Sequence, residues 1–193
     1  MWLNEVNLVK LGEDGADHNK LRLYKTVKAS FTIEPYIQLV LNRNQRAWLT
    51  RLRISTHTLR VELGRYTKPV TPLRDRTCLY CKNDENLDSN PCVDDESHLL
   101  LFCNTFSTKR NCLFGKIGSI DHSFLALTAQ QKLAKLLCPS DIRIAKLINK
   151  FLNITFDSRN RIDRGESMDR GHFTDCNLNI STVSENTSDA PSM

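Results

Sequence analysis

Cys78 and Cys81 form a C-x2-C pair, and His98 and Cys103 form an H-x4-C pair after a further sixteen residues. Two thiolates separated by two residues can grip one ion from a tight turn. A second pair at a helix start can close a tetrahedron around it. Four protein ligands leave no open coordination position, so an ion held this way is structural and does not activate water. Zinc suits this donor set, and its apparent contribution to folding at neutral pH is on the order of 10 kcal/mol. Two other readings compete. A C-x2-C can be a redox pair, against which stand its acidic neighbours and the lack of a βαβ pattern around it. Cys92, in a Ser-Asn-Pro-Cys loop, is a rival ligand to His98 and Cys103 or an exposed thiol. Cys112 and Cys138 lie within apolar helical pattern and read as core. Cys176 reads as a free thiol, and His18, His122 and His172 have no partner pattern.

A second group of residues is cationic. Residues 43–76 hold nine Lys and Arg against Glu62 and Asp75, a net of +7, whereas the whole chain of 193 residues carries only +5. The difference arises because Lys82 alone opposes six acids between residues 82 and 98, and residues 177–193 have no basic residue. Arg43, Arg46, Arg51, Arg53, His57, Arg60 and Arg65 are the candidates for contact with backbone phosphates, each contact steepening the salt dependence of binding by about one unit of log slope. Trp48 and Tyr66 can stack on bases at about 1–3 kcal/mol each, although Trp48 also fits a core. One contrasting reading is a solvated arginine stripe with Trp48 and Tyr66 in the core; another pairs the acids of residues 84–96 internally with the basic helix.

These residues need a scaffold, and the spacing predicts a mainly α one. Leu49, Leu52, Thr56, Leu59 and Leu63 recur at steps of three and four from Gln45 onward, with Asn42 and Asn44 before them as a break. Ser55–Thr58 are weak helix formers, so one helix or two with a bend are both expected. Gly64 suits a C-cap, and Pro69 and Pro72 stop continuation. Pro35 suits a first helical position. Asp94 or Asp95 can open a helix toward Arg110. Thr128-Ala-Gln-Gln131 has the form of a capping box. Ile144, Ile148, Phe151 and Leu152 make an amphipathic stripe. Strand signals are confined to Arg60–Leu63 and the surroundings of Cys78, which can pair briefly. The expected organisation is an N-terminal extension at 1–19, a helical zinc-binding domain at 20–156 with a CCHC insert, and a disordered tail at 157–193. No run approaches the roughly 18–20 apolar residues of a spanning helix. The opening twenty residues carry four acids and no long apolar run, so a secretory signal is not expected. The odd cysteine count argues against a disulfide framework and for an intracellular protein, nuclear or cytoplasmic.

The run RAWLTRLRISTHTLRVELGRYTKPVTPLRDRTCLYCKN, followed by DDESHLLLFC, resembles the reverse transcriptase zinc-binding domain, the segment that follows the polymerase in non-LTR retrotransposon proteins of invertebrates. The likeness rests on order. A basic helix at Arg46–Arg53 precedes a Ser/Thr-His-x-Leu stretch at Ser55–Leu59. Glu62, Gly64, Arg65 and Tyr66 follow, then a proline-containing linker, Cys78 and Cys81, an acidic turn at Asp94–Glu96, and His98, Leu99, Leu100 and Cys103. The flanks LRLYKTVKASFTIEPYIQLVLN, SFLALTAQQKLAKLL and IAKLINKFLNITFDSR are similar to those of the family, so the likeness covers about residues 20–160. The SNPC insertion before the acidic turn departs from the pattern. The resemblance implies element RNA or target DNA as partner, held near a reverse transcriptase domain.

The sequence offers no catalytic set to go with this. A polymerase of that kind holds two metal ions on paired aspartates. Asp94-Asp95 is the only Asp-Asp here, preceded by Val93 rather than a Tyr-x hairpin. No Gly-rich phosphate loop and no Ser-His-Asp arrangement is present. The expectation is a zinc-stabilised nucleic-acid-binding module without polymerase activity. The competing expectations are a structural module that docks on a polymerase domain, and a remnant with no cellular role.

Overall fold

The computed structural model describes residues 32–81 and 92–166, together with Leu23 and Val27. The proposed N-terminal extension at 1–19, the acids at 84–88, Cys176 and the tail beyond residue 166 lie outside the described residues. What is described is mainly helical. In chain order the α-helices are α1 (Pro35–Gln38), α2 (Arg43–Arg53), α3 (Arg60–Leu63), α4 (Ser107–Ile120), α5 (Ala129–Leu137) and α6 (Ile142–Asp163). Among the described residues β-structure is limited to one antiparallel bridge, Thr77 to Val93. No helix there is long and apolar enough to cross a membrane.

α6 is the element the others pack on, with contacts to α2, α4 and α5. Its N-cap is Asp141, whose carboxylate accepts from the Arg143 amide at 2.7 Å. Ile144, Ile148, Phe151 and Leu152, the stripe that the spacing predicts, are buried along one side, and Phe156 extends it. α2 lies against this stripe. Leu49 and Leu52 are fully buried, each stabilising the fold by about 1.5–3 kcal/mol. The Trp48 ring stacks on Phe156 with centroids 4.6 Å apart, so this tryptophan belongs to the core edge. α4 buries Leu113 and Ile117, and Phe114 meets Phe124 edge-on at 5.3 Å. α5 begins with the expected capping box: Thr128 accepts from the Gln131 amide, and Gln131 from the Thr128 amide.

Three local expectations change, and one left open is decided. Asn42 does not merely interrupt the chain; it is the N-cap of α2, in a reciprocal capping box with Gln45. The weak stretch after Arg53 does end the helix. Ser55 takes φ 52°, uncommon for a residue with a side chain, and its hydroxyl donates to Glu96 at 3.2 Å. Arg60–Leu63 is helical rather than extended, because Asp94 takes its leading amides: the Arg60 amide donates to Oδ2 at 2.9 Å and the Val61 amide to the carbonyl at 3.2 Å. The domain boundary at residue 156 is too early. α6 runs on to Asp163, and its last turns hold Asp94 and Tyr80 through Arg159 and Asp163.

Candidate metal centre

Cys78 and Cys81 sit where two chain segments briefly run antiparallel. The Asp94 amide donates to the Arg76 carbonyl at 2.9 Å and the Cys78 amide to the Cys92 carbonyl at 3.0 Å. This ladder fixes the backbone on either side of the Thr77–Val93 bridge and leaves the C-x2-C turn at its end. The Cys92 backbone thus holds Cys78, while its own side chain is exposed and outside the ligand cluster.

The second pair depends on an unusual turn. In an α-helix, residues five apart differ in direction by about 140° and do not face the same point. His98–Phe102 is instead a π turn, closed by the Cys103 amide on the His98 carbonyl at 2.7 Å. A wider turn winds less per residue, which brings the i and i+5 side chains toward one side. Asp95 supports its start by accepting from the His98 amide at 2.8 Å.

The result is that one ligand atom from each of Cys78, Cys81, His98 and Cys103 lies within 4.8 Å of every other. Cys81 Sγ is 3.4 Å from both His98 Nε2 and Cys103 Sγ. The edge of a tetrahedron with metal–sulfur bonds of about 2.3 Å is roughly 3.7 Å. The cluster therefore has the dimensions of a single four-coordinate ion. The Cys78 thiol is lowered to about 3, chiefly by the hydrogen bond from Cys103, with His98 adding to it. The same contact, with burial, pushes the Cys103 thiol up. Ionising one of two adjoining thiols disfavours ionising the other.

Beyond the ligands, the corner is tied to three helices. Arg110 donates to the Cys103 carbonyl at 2.7 Å and Thr105 to the Tyr80 carbonyl at 2.9 Å. The Tyr80 hydroxyl donates to Asp163 at 2.7 Å. Arg159 lies 4.4 Å from the Tyr80 ring centre and grips both carboxylate oxygens of Asp94, one at 2.9 Å. Glu96 accepts from Ser55 and pairs with His57 Nε2 at 2.6 Å, while His57 Nδ1 accepts from the Leu59 amide. Of the acidic turn, Asp94, Asp95 and Glu96 are therefore engaged inside the protein, Asp94 and Glu96 not with the basic helix but with Arg159 and with the stretch after that helix. Arg159, Arg110 and Tyr80 did not stand out in the sequence. A signal did exist for Arg159: it continues the Leu152–Phe156 stripe of α6.

The candidate phosphate contacts divide. Arg43, Arg46 and Arg51 are exposed on α2. Arg60 and Arg65 are half-buried, Arg65 against Glu62 at 3.0 Å. Arg53 and His57 are not surface groups at all. Arg53 is 1% exposed, ion-paired with Glu34 at 2.5 Å and donating to the Leu137 carbonyl at 3.2 Å. His57 is enclosed by Glu96 and Leu59. Of the two aromatic candidates, Trp48 is packed and Tyr66 is exposed.

Comparison of the chain with models of known families, with curated proteins and with solved structures gives no match. What can be said of its function therefore rests on these residues.

Proposed function

We propose that this chain is a zinc-stabilised nucleic-acid-binding module, akin to the C-terminal region of a retrotransposon reverse transcriptase and without polymerase activity of its own. The observation that carries the zinc part is the convergence of Cys78, Cys81, His98 and Cys103 on one point. Thiolate and imidazole donors in a closed tetrahedral set favour zinc over the oxygen-seeking ions. The zinc staples the acidic turn to the C-x2-C turn and performs no catalysis.

Nucleic-acid binding is supported by α2. Its eleven residues, RNQRAWLTRLR, include four arginines and no acid, and Arg43, Arg46 and Arg51 stand in solvent. The apolar side of the same helix is locked against α6, so these cations are presented from a rigid element. Such a surface suits backbone phosphates more than base edges, and affinity should fall steeply with salt.

Two measurements test the reading. Elemental analysis of the purified protein should find one zinc per chain, lost in Cys78→Ser. Electrophoretic mobility of single-stranded RNA and duplex DNA should shift at about 50 mM salt and recover as salt rises. A zinc-free folded protein refutes the first part, and no shift at low salt the second.

One observation favours a second reading, a module that docks on a polymerase domain. A groove of about 440 Å³ is lined largely by apolar residues, among them Leu23, Leu101, Phe102 and Leu133. Phe102 is 55% exposed there. Co-purification with a reverse transcriptase domain that is lost in Phe102→Asp, while RNA binding is absent, would favour this reading over the first.

A further inference from the structure

A cavity of about 80 Å³ lies between α3 and the loop that follows, lined by Arg60, Leu63, Gly64, Thr67, Thr71 and Arg76. Two of its six lining residues are arginines and none is acidic. Of the two acids adjacent in sequence to lining residues, Glu62 is held by Arg65 at 3.0 Å and the exposed Asp75 lies 3.9 Å from Arg74. Arg76 is 1% exposed. Its Nε donates to the Thr71 carbonyl at 2.8 Å and its NH1 to the Val61 carbonyl at 2.9 Å, which sets the plane of the guanidinium. Gly64 makes that placement possible: a Cβ there would stand 2.6 Å from the Arg76 side chain. This, and not a left-handed backbone, is why glycine ends α3, since Gly64 has φ −63°.

The other wall is Arg60. Its Nε is buried and meets no hydrogen-bond acceptor among the described residues. A buried donor left unsatisfied costs about 1–3 kcal/mol, and the residue that carries it lines the cavity. The loop itself is pinned. Thr67 Oγ1 donates to the Gly64 carbonyl and accepts from the Thr71 amide, both at 2.9 Å. The same loop carries the exposed cations Lys68 and Arg74 and the ring of Tyr66, 70% exposed. Planar guanidinium groups match the oxygens of a tetrahedral anion.

We propose that this cavity is a phosphate site, with Arg60 and Arg76 as its two binding groups. Arg76 was not among the cations that the sequence singled out for this purpose. The phosphate is either a backbone phosphodiester, in which case the inference rests on the nucleic-acid reading and gives it an anchoring point away from α2, or a free phosphate.

The test uses the zinc-loaded full chain, freed of unbound metal. Inorganic phosphate is titrated against chloride at constant ionic strength while backbone amides are followed by NMR. Amides of residues 60–76 should shift and saturate in the millimolar range. Arg60→Gln should raise the half-saturation point at least tenfold, and Arg60→Lys should fall between. Because the Arg60 Nε meets no acceptor among the described residues, these variants should melt as the parent does. The second arm repeats the RNA mobility assay. Weaker binding by Arg60→Gln, with a salt slope lower by about 0.7–0.9, identifies the ligand as a backbone phosphate. Unchanged RNA binding, or none in the parent, with phosphate binding still lost in Arg60→Gln, identifies it as free phosphate. No amide response at 10 mM phosphate, or an equal response in parent and Arg60→Gln, overturns the site, even where RNA binds the parent protein.

Discussion

The metal-ligand corner and the arginine helix use charge in opposite ways. Around the ligands, Arg159, Arg110, Asp94 and Glu96 are all buried or nearly so, and each has its partner within the fold. On α2, Arg43, Arg46 and Arg51 face solvent while Arg53, two residues beyond Arg51, is buried against Glu34 and α5. The lesson is that a cation's meaning is set by which side of its element it occupies. The +7 of residues 43–76 is not +7 of surface, since Arg53 and Arg76 are core groups.

The comparison can be broken hardest at the metal. Chelation, or Cys78→Ser, should unfold the corner and lower the melting temperature sharply, because an apparent binding energy on the order of 10 kcal/mol is comparable to the whole stability of a typical domain. Circular dichroism melts with and without chelator measure it, and an unchanged melt would mean the cluster holds no structural ion. Next comes Arg159→Ala, which strands the fully buried Asp94 carboxylate. A loss of about 3–5 kcal/mol in urea unfolding is expected, although residue 159 is no metal ligand. Arg53→Gln should cost about 3 kcal/mol by removing the cation paired with the largely buried Glu34 carboxylate. The paired variant Arg43→Gln with Arg46→Gln should stay within about 0.5 kcal/mol per site. That pair should instead lower the salt slope of RNA binding by about two. Equal stability losses in the two sets would erase the distinction between buried and exposed arginine.

The smallest effect concerns acid. Lys135, with help from Ser123, holds the Asp121 carboxyl down to about 2. An unfolded aspartate titrates near 3.9. The stabilisation is therefore complete above about pH 4 and is lost as the pH falls toward 2. The stability difference between the parent and Asp121→Asn should be constant near neutrality and close over that window. An NMR titration of the Asp121 carboxyl checks the midpoint directly.

Much of the helical scaffold could be read from spacing. The Thr128–Gln131 capping box and the Ile144–Leu152 stripe are local patterns, and the structure contains both. The two pairs of donor residues that form the cluster could be read for the same reason, as short-range patterns. Three things were not legible. Asn42 was ambiguous because asparagine both breaks helices and caps them. Arg60–Leu63 could pass for a strand because its helical start depends on Asp94, which is distant in sequence. The end of the ordered domain was misplaced because residues 157–163 are polar, yet Arg159 and Asp163 are held by Asp94 and Tyr80.

Composition and spacing alone determined that the chain is mainly helical, and that three cysteines and a histidine form a set suited to one ion. Those properties follow from periodicity and from ligand chemistry, which act over a few residues. Tertiary structure alone decided which arginines remain on the surface and that the acidic turn is engaged inside the fold. It also placed Arg76 beside Arg60 at one cavity. Burial and ion pairing join residues far apart in the chain, and no local pattern records them.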